Sequence, residues 1–166
     1  MSLDEIIRWL IRWLTSTPVN TVVMGYRWVW PISEILHFCG LAVMVGTVGV
    51  FDLRLLGLAK GVAPATLHRS LRYGVAAFVL SAVTGSLFIF GQPDQYFYNA
   101  AFKLKVIALL LLGLNVLLFY TLEARHVLAL GPSDDAPLRA KIIAATSLTL
   151  LVSIMLFGRM LTFFRP

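Results

Sequence analysis

Glu34 and His37 stand three residues apart in an apolar stretch, which puts a carboxylate and an imidazole on one helical face. Met44 falls on the same face two turns further on. Lys105 and Arg159 interrupt two other apolar stretches. An ionisable side chain costs about 2.5–3.5 kcal/mol at the centre of a membrane helix on insertion scales, so each invites a functional reading. His37 could ligate the iron of haem b or handle a proton at a quinone site, because a neutral imidazole among packed helices suits both. In a haem site, Met44 or Lys105 would offer a second ligand. Glu34 would orient the ring, and Lys105 and Arg159 would balance charge. The plainer reading is that His37 hydrogen-bonds Glu34 and seals a helix contact.

Other polar residues read more simply. His68 and His126 each adjoin an arginine in or beside a charged connection, as solvated interfacial histidines do. Asp52 and Arg54, with Arg72 opening the next span, read as an interfacial ion pair that fixes helix depth. Cys39 reads as inert packing. Ala42, Gly46 and Gly49 form a small-residue stripe suited to close helix contact, and Asn115 reads as a hydrogen bond joining two helices. No phosphate-cradling glycine loop, Cys/His metal cluster or Ser/His/Asp order is present in the sequence.

The elements that must position these groups follow from length and composition. The 166 residues are 59% hydrophobic and 13% charged, with a mean hydropathy of +0.85. Soluble domains carry about 25% charged residues, so the composition excludes a soluble globular enzyme. Ample apolar surface excludes disorder. The net charge of +6 suits loops facing anionic headgroups rather than nucleic acid. One cysteine allows no internal disulfide. Four stretches reach the roughly 20 apolar residues of a spanning helix: 32–56, 73–91, about 102–122 and 142–163. Residues 3–14 are apolar at helical spacing, with Arg8 and Arg12 on another side and Trp9 and Trp13 one turn apart, the pattern of a helix lying in the interface. Asp4 and Glu5 argue against a signal peptide. Tyr26, Trp28 and Trp30 form an aromatic anchor at the mouth of the first span.

The expected fold is an all-α membrane protein: an antiparallel four-transmembrane-helix bundle with an N-terminal interfacial amphipathic helix. Residues 1–30 form that helix and anchor, and residues 31–166 the four-helix domain. Side A, where the first span begins, carries Arg8, Arg12, Arg27, Lys103, Arg165 and the deeper Lys105 and Arg159. Side B carries Arg54, Lys60, Arg69, Arg72, Arg125, Arg139 and Lys141. With Lys105 and Arg159 set aside as intramembrane, side B leads and is expected to be cytoplasmic, leaving both termini outside.

Three stretches carry a resemblance: PISEILHFCGLAVMVGTVGVFDLRLLGL at residues 31–58, NAAFKLKVIALLLLGLNVLL at 99–118 and LFGRMLT at 156–162. Together they resemble a bacterial four-helix integral membrane family classed as a domain of unknown function, which implies a fold and a bacterial inner membrane rather than an activity. An early-span histidine, a glycine-rich helix and a lysine near the start of the third span are more distantly similar to HemJ-type protoporphyrinogen oxidases and CopD-type copper-resistance proteins. The HemJ likeness implies haem b, with His37 at the position of its first-span histidine and Lys105 near that of its functional lysine.

The expected function is therefore a small membrane redox protein of b-type cytochrome character, binding haem or exchanging electrons with a quinol, with a membrane redox partner. The alternatives are a non-catalytic subunit packed against a larger complex, and CopD-like metal-ion transport.

Overall fold

The structure, a computed structural model, describes residues 2–163. Arg165 and the end of the expected four-helix domain, 164–166, lie outside the described residues, as do Met1 and the side chain of Leu3. The described chain is helical throughout, without a strand. In chain order the helices are α1 (Leu3–Thr15), α2 (Pro18–Gly25), α3 (Val29–Leu55), α4 (Pro64–His68), α5 (Leu71–Gly91), α6 (Pro93–Phe97), α7 (Ala100–Leu118), α8 (Ala124–Leu128) and α9 (Leu138–Met160). A π-helical turn, Phe119–Glu123, joins α7 to α8 without a break. Four stretches are long and apolar enough to cross a membrane: Val29–Leu55, Pro64–Gly91, Ala100–Leu128 and Leu138–Met160. The third therefore runs about a turn and a half past the limit that composition suggests, because the π turn carries the helix through Glu123 and Arg125.

The amphipathic N-terminus forms as its pattern requires. Ser2 and Glu5 close a capping box, Ile11 and Leu14 are buried, and Trp9 and Trp13 stay exposed. Sequence reading leaves residues 16–25 without an element, yet α2 forms there. Thr17 caps it and Pro18 opens it, since a proline at the first helical position lacks only an N–H that had no partner. Asn20 Nδ2 donates to Phe90 O at 2.7 Å, fastening α2 to the end of α5.

The spans form two closely packed pairs, α3 with α5 and α7 with α9, and α3 also packs along α9. Within each pair the contacts run in opposite chain order: Trp30 meets Gly91, and Thr47 meets Gly74; Lys105 meets Gly158, and Asn115 meets Ile143. The α3–α5 approach is made by glycines that the expected stripe does not contain. A Cβ at Gly40 would lie 2.8 Å from Ala77 O and against the Ser81 hydroxyl, and one at Gly74 would collide with the Thr47 hydroxyl. Gly46 faces open space and Gly49 only touches Leu148 at 3.9 Å. On α5 the matching stripe is Gly74, Ala77, Ser81 and Thr84, all buried.

Candidate functional site

His37 sits on α3 where the small residues of α5 let the two helices close. Its ring lies over Gly85, where a methyl group would stand 3.2 Å from Cε1. Nδ1 is 2.9 Å from Ser81 O and 3.2 Å from Thr84 Oγ1. A carbonyl only accepts, so Nδ1 carries the proton and Nε2 keeps its lone pair. Nε2 has no hydrogen-bond partner among the described residues. The Phe88 ring stands edge-on at 5.6 Å and in turn meets Trp30 at 5.1 Å. The imidazole is thus held in one tautomer by a backbone carbonyl and walled by aromatic rings, the arrangement that orients metal-ligating histidines.

Lys105 reaches inward from α7. Its Nζ lies 3.5 Å from the Cβ position of Gly158 on α9, and its charge acts on His37. The structure therefore places the Lys105 charge within electrostatic reach of His37. It does not add the other expected members of the layer. Glu34 is exposed, and its charge acts on Tyr96 of α6. The ring of His37 takes its hydrogen bonds from α5, not from Glu34. Arg159 is exposed. Met44 is buried in a small core with Ala77 and Leu151, about 10 Å along the helix from His37, so the two cannot share one metal ion. Tyr96, packed 5.3 Å from Phe102, has its phenol pushed up to about 12 by burial and by the Glu34 charge.

Ser81 and Thr84 are the site residues that sequence reading missed. Their signal was available: positions 74, 77, 81 and 84 form one helical stripe of small residues.

The opposite end holds a second polar assembly that differs from the expected ion pair. Asp52 and Arg54 are both buried but not paired with each other, because residues two apart on a helix point to nearly opposite faces. Asp52 faces Ser147 of α9. Arg54 is fully buried, donating through Nε to Val62 O and through Nη2 to Gly131 O at 3.2 Å and Asp134 O at 3.1 Å. Arg72 instead donates to the Tyr73 hydroxyl. His68 is half-buried, its Nε2 2.9 Å from the Tyr120 hydroxyl, rather than solvated. His126 is exposed. Cys39 is exposed rather than packed, and Asn115 does join two helices, donating to Ile143 O at 3.0 Å.

The loops around Arg54 are also pinned to each other. Lys60 O accepts from Ser133 N at 2.7 Å, and Asp135 lies between Lys60 at 3.1 Å and Lys141 at 2.6 Å. Hydrogen bonds from Lys141 and then Lys60 hold the Asp135 carboxyl below its ordinary range. A carboxyl depressed in the folded state stabilises it fully above the unfolded value, near ~4, and the stabilisation is lost as pH falls through the lower folded value. Amide protection in residues 131–137, measured against the intrinsic exchange rate at each pH, should therefore fall below about pH 4 in the wild type, and Asp135→Asn should show the lower protection already at neutral pH.

The described residues contain no group of three or more His, Cys, Asp or Glu placed to hold a metal ion. A family of unknown function, DUF6644, has a model that matches residues 13–164. No curated protein matches the chain, and no solved structure matches it.

Proposed function

We propose that this chain, which belongs to the DUF6644 family, is a small integral-membrane redox protein of b-type cytochrome character in the inner membrane of a bacterium. The observation that carries the reading is the His37 ring: Nδ1 tied to Ser81 O at 2.9 Å, and Nε2 free. That donor fits haem iron, which takes a neutral imidazole nitrogen. The chain offers no second histidine there, since His68 belongs to the far end with Tyr120, and Met44 is a core residue. Protein ligation is then through His37 alone, or with Lys105. When bound, the haem supplies one-electron chemistry. Ser81 fixes the tautomer, Phe88 excludes water from the ring, and Lys105 supplies positive charge for an anionic group.

A second reading is a quinol site, which calls for no large cavity at His37. The two best defined cavities, about 250 and 200 Å³, lie at Tyr120–His126 and along α7–α9 rather than at His37. A quinone headgroup needs less room than a macrocycle. His37 Nε2 would accept a hydrogen bond from one quinol hydroxyl, and Lys105 Nζ would donate one to the oxygen opposite.

The absorbance spectrum of detergent-purified protein separates the readings. A Soret band that disappears in His37→Ala, with the thermal midpoint kept, supports haem. Colourless protein without extractable porphyrin removes haem. Tryptophan quenching by a short-chain quinone, lost in His37→Ala, then supports the quinol site. Absence of both signals removes the redox reading.

A further inference from the structure

The two cavities lie along successive stretches of one helix, residues 111–118 and 120–126. The larger, about 250 Å³, is a dent in the π turn and α8, lined by Tyr120, Thr121, Leu122, Ala124, Arg125 and His126. The smaller, about 200 Å³, is an apolar groove between α7 and α9, walled by Leu111, Leu114 and Leu118 on one side and Thr146 and Leu150 on the other. Leu111, Leu114 and Leu118 form one stripe of α7, and the π turn that follows carries the chain from the groove to the dent, which Leu122 and Arg125 line. The stretch from Leu111 to Arg125 spans about 20 Å, against about 15 Å for the hydrocarbon of one leaflet, which leaves room for a headgroup beyond one acyl chain. At the dent, Arg125 and His126 are exposed in the last turn before the connection to α9. Neither has an ion-pair or hydrogen-bond partner among the described residues.

We propose that the groove and the dent beyond it together hold one anionic phospholipid, its phosphate at Arg125 and His126 and one acyl chain between α7 and α9. The charge is the recognition element: an unpaired guanidinium ends a hydrocarbon-lined channel where the helix leaves the membrane. The π turn makes the dent, because its wider turn separates side chains that an α-helix would hold closer.

Native mass spectrometry of the full chain in detergent, with phosphatidylglycerol or phosphatidylcholine added, tests this. Wild type should retain phosphatidylglycerol in preference to phosphatidylcholine. Arg125→Gln should weaken phosphatidylglycerol retention about fivefold, Arg125→Lys should restore most of it, and Arg69→Gln should leave it unchanged. Unaltered retention in Arg125→Gln overturns the site. Equal losses in Arg125→Gln and Arg69→Gln also overturn it, since that would be general surface attraction. Displacement of the lipid by millimolar inorganic phosphate or glycerophosphoglycerol would identify an anion pocket with no use for the groove, and would overturn the lipid assignment. A thermal midpoint within experimental error of wild type qualifies each variant for the comparison.

Discussion

Arg54→Met should lower the stability of the folded chain by about 3–5 kcal/mol, the loss of three hydrogen bonds from a charged donor at about 1.5 kcal/mol each. The guanidinium is the largest fully buried side chain, and its acceptors, Val62 O, Gly131 O and Asp134 O, come from two separate connections. Replacing a whole buried ion pair by apolar residues is often neutral. Here the partners are backbone carbonyls that remain when the arginine goes. They keep their desolvation cost without a donor. Thermal denaturation in detergent should show a midpoint roughly 10 °C lower. Arg54→Lys should recover only part of the loss, because one ammonium cannot span the same fork of acceptors. A midpoint unchanged in Arg54→Met would mean that water replaces the guanidinium at all three carbonyls.

Gly40→Val and Gly46→Val should differ sharply although the two glycines lie six residues apart on one helix. At Gly40 the first added carbon meets Ala77 O, a backbone atom that cannot swing aside, as well as the Ser81 hydroxyl. The α3–α5 pair must separate, at a cost of about 1–3 kcal/mol or more. His37 Nδ1 binds the same Ser81 residue, so separation also releases the imidazole. At Gly46 nothing lies within 4 Å, and the variant should stay within about 0.5 kcal/mol of wild type. Thermal midpoints and the His37-dependent signal, measured side by side, check both halves. Equal midpoints for the two variants would show that the helices do not approach at Gly40.

These contrasts indicate what the sequence makes readable. The four spans are legible because run length alone marks them, and α1 because its apolar residues recur with the helical period. Thr17 and Pro18 together open α2; the local signal is there, but eight residues are too few for periodicity to announce a helix. The Lys105 charge reaches His37 because both residues lie near the side A ends of their spans, which topology predicts. Glu34 is exposed rather than bonded to His37, and its charge acts on Tyr96, whose helix α6 lies in the connection between the second and third spans. The burial of Arg54 was not legible. Its partners are carbonyls, carried by every residue alike, and only the folded path of residues 57–63 and 131–134 aims them at the guanidinium. The π turn has no compositional signature, so the reach of the third span through Glu123 was hidden with it.

The seam between the two helix pairs sets an order on biosynthesis. The hairpin of α3 and α5 can complete its glycine contacts before α7 leaves the ribosome, since all of them lie within residues 30–91. Arg54 can then reach Val62 O, which belongs to the same hairpin, while Gly131 O and Asp134 O have yet to be synthesised. Until then the guanidinium has one of its three acceptors. Its last two bonds form only when the second hairpin arrives and docks α9 along α3, making Arg54 the latch that closes after both halves are in place.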